Sequence, residues 1–203
     1  MKTDIILAGV GGQGILSIAA VIGWAAIDSR LYIKQAEIHG MSQRGGAVYS
    51  HLRLSDAPVA SDLIPTGKAN VILSVEPMEA LRYLPYLSGN GWVVTNTRPF
   101  VNIDNYPDAV SLTAQLEALD KRILVNADEL ATRCGNSKAA NMVMLGAAVP
   151  FLGIDVGQVE TAVRNIFERK GNAMVDLNVN ALHEGYTTAQ QQMSLRSANP
   201  PAS

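Results

Sequence analysis

The sequence predicts an α/β protein with a Rossmann-like, largely parallel sheet, helices on both faces and a helical C-terminal part. Three observations predict it. A short apolar run, Ile5 to Ala8, meets the glycine-rich turn Gly9-Val10-Gly11-Gly12-Gln13-Gly14 and leaves it into a second apolar run from Ile15. Strand-length and helix-length segments then alternate as far as residue 128, and such alternation belongs to sheets built from crossover units. The remainder carries apolar residues at helical spacing.

Each element has its own justification. Ile15, Ile18, Ala19, Ile22 and Ala26 share one face of a helix. Leu31 to Ala36 reads as the second strand, followed by a polar, glycine-rich loop from Glu37 through His39 to Gly46. In Ala47 to Leu54, Val48, Ser50, Leu52 and Leu54 fall on one face and Tyr49, His51 and Arg53 on the other, which predicts a half-exposed strand whose polar face could be covered by a partner. The stretch 55–69, with Pro58, Pro65 and Gly67, is an excursion from the sheet. Val71 to Val75 is a buried strand, and Glu76-Pro77 opens a helix with proline at its first position and Glu79 in its first turn. Pro85 ends or kinks that helix.

Gly89-Asn90-Gly91 marks a turn before the strand Trp92 to Asn96, and Arg98 to Pro107 is loop. A helix over Leu112 to Leu119, a strand over Arg122 to Val125 and a short helix from Asp128 follow. Lys138 to Leu152 predicts a helix buried nearly all round, with Asn141 its chief polar interruption. Asp155 and Gln158 are spaced as a capping box ahead of Val159, Ala162, Val163, Ile166 and Phe167, and Gly171 stops that helix. Residues 1–186 are expected to form one domain, and 187–203 a frayed tail or a helical arm for a partner.

Composition excludes several classes. The 203 residues carry a formal charge of -2, so no broad basic surface invites nucleic acid. One cysteine, Cys134, cannot alone hold an iron-sulfur cluster, and beside Gly135 it reads as a small packed residue. Residues 5–27 carry no charge, long enough to raise a membrane helix. The glycines of the turn would break such a helix in its first half, so the expectation is a cytoplasmic protein with no membrane span.

The turn satisfies GxGxxG at Gly9, Gly11 and Gly14, a spacing that permits a tight turn, close backbone approach to phosphate and close helix packing. Glu37 stands loosely where a dinucleotide fold places its ribose-binding acid. That leaves an independent NAD(P)- or flavin-binding protein as an alternative, beside close packing without ligand. Arg44-Gly45-Gly46 has the makings of an anion-binding nest. His39 has the residue type of a general acid or base, although no nucleophile accompanies it and no spacing suggests a metal cage. His51 and His183 are expected in structural roles. The candidate anion, coenzyme A or interface site is therefore Gly9, Gly11, Gly12, Gln13, Gly14, Glu37, His39, Gln43, Arg44, Gly45 and Gly46, with no catalytic residue assigned.

The turn and the segment Gln35-Ala-Glu-Ile-His-Gly-Met-Ser-Gln-Arg-Gly-Gly46 resemble the gamma-type subunit of the 2-oxoacid:ferredoxin oxidoreductases, above all its indolepyruvate members. Glu76-Pro-Met-Glu-Ala-Leu-Arg82, Asn141-Met-Val-Met-Leu-Gly146 and Asn180-Ala-Leu-His-Glu-Gly-Tyr186 extend the likeness over nearly the whole chain. The resemblance implies an accessory subunit of a complex that oxidatively decarboxylates an aryl pyruvate to an acyl-CoA and reduces ferredoxin. It further implies thiamine diphosphate, Mg and iron-sulfur clusters on a larger alpha subunit, coenzyme A as co-substrate, no cofactor on this chain alone, and a possible homodimer when isolated. A structural interaction module descended from the same fold is the remaining reading.

Overall fold

A computed structural model describes residues 1–39, 45–101 and 103–198. Its centre is a six-stranded sheet of order β2-β3-β1-β4-β5-β6, made of β1 (Lys2–Val10), β2 (Tyr32–His39), β3 (Ala47–Ser55), β4 (Ala69–Ser74), β5 (Leu87–Asn96) and β6 (Arg122–Val125). β1, β4, β5 and β6 pair in parallel, while β3 runs antiparallel to both β1 and β2. The short link from β2 to β3 cannot make a crossover, which takes a dozen or more residues, so β3 returns antiparallel between β2 and β1.

Helices cover both faces. On one, Ile5 and Leu7 of β1 pack with α1 (Ile15–Asp28), α5 (Ala140–Ala148), α6 (Val156–Phe167) and α7 (Asn172–Ala198). On the other, Ile6 and Ala8 meet α2 (Pro77–Arg82) and α3 (Ala109–Glu117). α4 (Ala127–Arg133) follows β6 directly. A central strand with both faces covered reads as a continuous apolar run, as Ile5 to Ala8 does. α2 opens as its sequence demands, with Pro77 at its first position and the Glu76 carboxylate accepting the Glu79 N–H. The capping box of Asp155 and Gln158 forms at α6.

Four expectations change. First, the polar face of β3 needs no outside partner. Arg53 pairs with Asp4 at 2.7 Å and donates to the carbonyls of Ser61 and Leu63, and the His51 Nδ1 accepts the Ile64 N–H. The excursion after β3 is thus a strap that covers this face, leaving His51 and Arg53 buried. Second, β2 runs on to His39, so Glu37 and His39 stand on a strand and not in a loop. Third, the Gly89-Asn90-Gly91 turn lies inside β5, where the pairing jumps from Ala69↔Leu87 to Val71↔Trp92. Fourth, the choice between a frayed tail and a helical arm narrows to helix, which runs on up to Ala198. There Ala189 is buried, and the Gln192 amide both accepts from the Leu124 N–H and donates to the Leu124 carbonyl.

Candidate functional site

The glycine turn closes on its own side chain. The Gln13 Oε1 accepts the Val10 N–H at 2.8 Å and the Gln13 N–H returns to the Val10 carbonyl at 3.1 Å, so Gln13 fixes the turn. Gly12 and Gly14 hold φ of 100° and 82°, in the left-handed region that side chains resist. A Cβ on Gly9 would stand 2.4 Å from Val75, so Gly9 is the close-packing glycine. A Cβ on Gly12 would meet nothing within 4 Å. The open face of the turn is at Gly12.

The far end of the β2–β3 link docks on the turn. The Gly11 N–H donates to the Gly46 carbonyl at 2.9 Å and the Gly45 N–H to the Gly11 carbonyl at 3.5 Å, continuing the β1–β3 ladder past Val10↔Ala47. Beside this junction a cleft of about 360 Å³ is lined by Gly11, Gly12, Gly14, Leu16, Glu37 and His39. The turn and the acid-imidazole pair, far apart in sequence, therefore share one concavity. Gln43 and Arg44 lie outside the described residues.

On the other side of the turn a larger crevice of about 630 Å³ opens at the carboxyl ends of β1, β4, β5 and β6. Open α/β sheets bind ligands at this kind of place. Its lining includes Asn96, Arg98, Asp128, Lys138 and Asn141, none of which local sequence pattern marks as a binding residue. Asn96 organises it: its Nδ2 donates to Asp128 at 2.9 Å and its Oδ1 accepts the N–H groups of Arg98 and Ala127. Arg98 lies 3.5 Å from Asp128. Lys138 makes no ion pair among the described residues. The available signal was position alone, since residues directly after parallel strands face this crevice.

Glu76, at 0 % exposure, anchors the loop along the crevice rim. It accepts from the Phe100 N–H at 3.3 Å and from the Tyr106 hydroxyl. Burial, then the bond to and charge of Glu76, push the Tyr106 hydroxyl well above its ordinary range, so it remains a donor. Burial also raises the neighbouring Glu79 carboxyl, against the pull of Arg82. Elsewhere, Cys134 is raised by burial and then by Glu184, which suits an unreactive thiol. His183 bonds Glu160 at 2.8 Å on the α6–α7 surface. No helix among the described residues is long and apolar enough to cross a membrane.

Fold and clefts together define an open α/β domain with two clefts beside the glycine turn, at the carboxyl ends of its parallel strands. Residues 4–188 match the family described as pyruvate ferredoxin/flavodoxin oxidoreductase, and the chain belongs to that family. It is 38 % identical over 198 residues to indolepyruvate oxidoreductase subunit IorB of Archaeoglobus fulgidus, covering 93 % of this chain and 96 % of that protein. The fold is similar to the gamma subunit of a keto/oxoacid ferredoxin oxidoreductase from Geobacter sulfurreducens, with TM-score 0.70, 24 % identity and 93 % and 99 % of the two chains covered. It also matches a 2-oxoglutarate:ferredoxin oxidoreductase from Magnetococcus marinus, described with 2-oxoglutarate, coenzyme A and succinyl-CoA bound. There the TM-score is 0.72 and the identity 19 %, with 94 % of this chain covered and 31 % of the other.

Proposed function

We propose that this chain is the small subunit of a 2-oxoacid:ferredoxin oxidoreductase of the indolepyruvate type. On this reading it acts within a complex whose larger subunit carries thiamine diphosphate, Mg and the iron-sulfur clusters. The observation that carries the proposal is the 38 % identity to an indolepyruvate oxidoreductase subunit along nearly the full length of both chains. Thiamine diphosphate supplies the carbanion chemistry of decarboxylation, and the clusters carry electrons to ferredoxin. With a single cysteine, this chain has no thiolate set for a cluster.

What the chain itself offers is a shaped edge. The cleft beside Gly12 presents backbone and a carboxylate-imidazole pair, Glu37 and His39, to whatever closes over it. In the complex this edge faces the larger subunit, and the coenzyme A phosphates lie against the glycine turn, with Arg44 and His39 completing the site. The turn holds its backbone in place before the ligand arrives, so little ordering is left to oppose binding. Arg44 and His39 thereby orient the co-substrate and limit water access, while bond making proceeds on the larger subunit.

Co-expression with the larger subunit tests this. Arg44→Ala and His39→Ala complexes should assemble normally and form acyl-CoA about tenfold more slowly, on the scale of one lost charge-assisted contact. Wild-type acyl-CoA formation in both well-assembled variants would remove the turn and loop from the site.

A further inference from the structure

A smaller cavity, of about 220 Å³, opens where three helices begin. Ser17 is the third residue of α1, Asn141 the second of α5 and Met174 the third of α7, and all three line it. Helix N-termini carry partial positive charge, which acidic residues in the first turn ordinarily complement. None of these three helices has one there. Lys138, just before α5, and Lys170, just after α6, add two ammonium groups to the lining, and no carboxylate belongs to it. Neither lysine makes an ion pair among the described residues. Lys170 instead lies over the Phe167 ring, 5.0 Å from its centre. The cavity is therefore positive and uncompensated by its own lining.

Asn178 indicates which kind of anion suits it. This residue lines the cavity and is only 4 % exposed. Its Nδ2 donates to the Met174 carbonyl at 2.7 Å. A carbonyl only accepts, so that bond fixes which way the amide points. The Asn178 Oδ1 is then a buried acceptor with no partner among the described residues. Buried acceptors call for a donor, and the charged oxygens of an anion cannot supply one. The anion must carry an O–H of its own. Hydrogenphosphate does so at neutral pH, whereas sulfate does not. A phosphate monoester, with its second pKa at about 6, has lost that proton by pH 7.5.

We propose that this cavity is a hydrogenphosphate site, with Lys138 and Lys170 holding the charge and the Asn178 Oδ1 accepting the proton-bearing oxygen. The Ser17 hydroxyl and the Asn141 amide, neither of which makes a side-chain hydrogen bond among the described residues, stand ready to donate to the remaining oxygens. Size agrees with this ligand. The cavity has the volume of about seven waters and falls below the roughly 300–1,000 Å³ of pockets that take larger organic molecules. It therefore suits a phosphate with a few waters and is too small for a nucleotide. Lys138 and Asn141 also line the larger crevice, but Lys170 and Asn178 line neither cleft beside the glycine turn. Failure of this site would leave the function proposed above untouched.

Titration calorimetry of the full chain with inorganic phosphate at pH 7.5 and matched ionic strength tests the proposal. Saturable binding of one phosphate per chain is expected, with sulfate and methyl phosphate each at least about tenfold weaker, on the scale of one lost charge-assisted contact. Lys170→Ala and Asn178→Leu should each weaken phosphate binding by a similar factor while leaving circular dichroism unchanged. Lys68→Ala, an exposed lysine of the strap, should bind as the wild type does. If Asn178→Leu does not fold, Lys170→Ala and the sulfate comparison still decide. Absence of saturable phosphate binding would overturn the proposal. So would sulfate or methyl phosphate binding as tightly as phosphate, or phosphate binding that survives Lys170→Ala and Asn178→Leu.

Discussion

Glycine serves opposite ends at two places in this molecule. Between α5 and α7, Gly146 and Gly185 bring the helix backbones together: a Cβ on Gly146 would sit 1.9 Å from the Leu182 carbonyl oxygen, and one on Gly185 1.9 Å from that of Val143. At the β1–α1 turn, Gly12 and Gly14 take left-handed φ, and a Cβ on Gly12 would meet empty space. The first pair excludes everything, and the turn keeps a surface open. Substitutions at the helix pair should therefore act on stability, and substitutions around the turn on function.

The largest effect that could break this contrast is at the helix pair. Gly146→Ala or Gly185→Ala must push the α5 and α7 backbones away from each other, and should lower unfolding free energy by about 3 kcal/mol or more, read from urea denaturation of the full chain. Mild destabilisation there would mean that α5 and α7 can slide apart and that the pair is no more demanding than the turn.

Next comes the Asp4–Arg53 pair, where both side chains are under a tenth exposed. Arg53→Met leaves the buried Asp4 carboxylate with only the Lys2 ammonium, at 3.3 Å, and frees the strap carbonyls of Ser61 and Leu63, costing about 3 kcal/mol. Proteolysis should then begin within 56–68, a site the intact strap protects.

A smaller effect is pH-dependent. Burial, then Arg53, hold the His51 imidazole below its ordinary range, against the opposing pull of Asp62, and its Nδ1 must be unprotonated to accept from Ile64. The unfolded chain binds this proton first, so stability is full above about pH 6.5 and declines as pH falls from there through the lower folded value. A His51→Gln chain should lose that share of the slope below about pH 6.5.

The smallest effect sharpens the contrast at the turn itself. Gly12→Ala costs only the left-handed backbone strain, about 1 kcal/mol, yet it places a methyl group on the face that both clefts share. Near-normal melting with reduced acyl-CoA formation in the assembled complex is the expected result. Equal loss of stability and turnover would erase the distinction between the two glycine sites.

What could be read from sequence follows the range of the interactions involved. The Glu76-Pro77 start of α2 and the Asp155–Gln158 start of α6 were legible because a cap is a contact between residues three apart. The all-round burial of Met142 to Ala148 was legible from composition. The covering of β3 was not, because Arg53 finds its partners in Asp4 and in carbonyls eight and ten residues on, and period-two alternation records only which face is polar. α7 past Thr187 looked polar enough to fray, and its tie to β6 joins Gln192 to Leu124 across 68 residues. The glycine turn, Glu37 and His39 were singled out through local pattern and family resemblance, and they line one cleft. Arg98 and Lys138 were missed, because only the topology of the sheet brings strand ends and the approach to α5 around one crevice.

The most direct test of the central claim is to capture a tagged form of this chain from its native cell. The captured material is then assayed for 2-oxoacid-dependent, coenzyme A-dependent reduction of a viologen dye. The account predicts a larger iron-sulfur and thiamine diphosphate partner in the captured material, with activity greatest on an aryl pyruvate. A chain that comes down alone, binds a dinucleotide and supports no such reduction would contradict it, and the glycine turn would then be a cofactor site of its own.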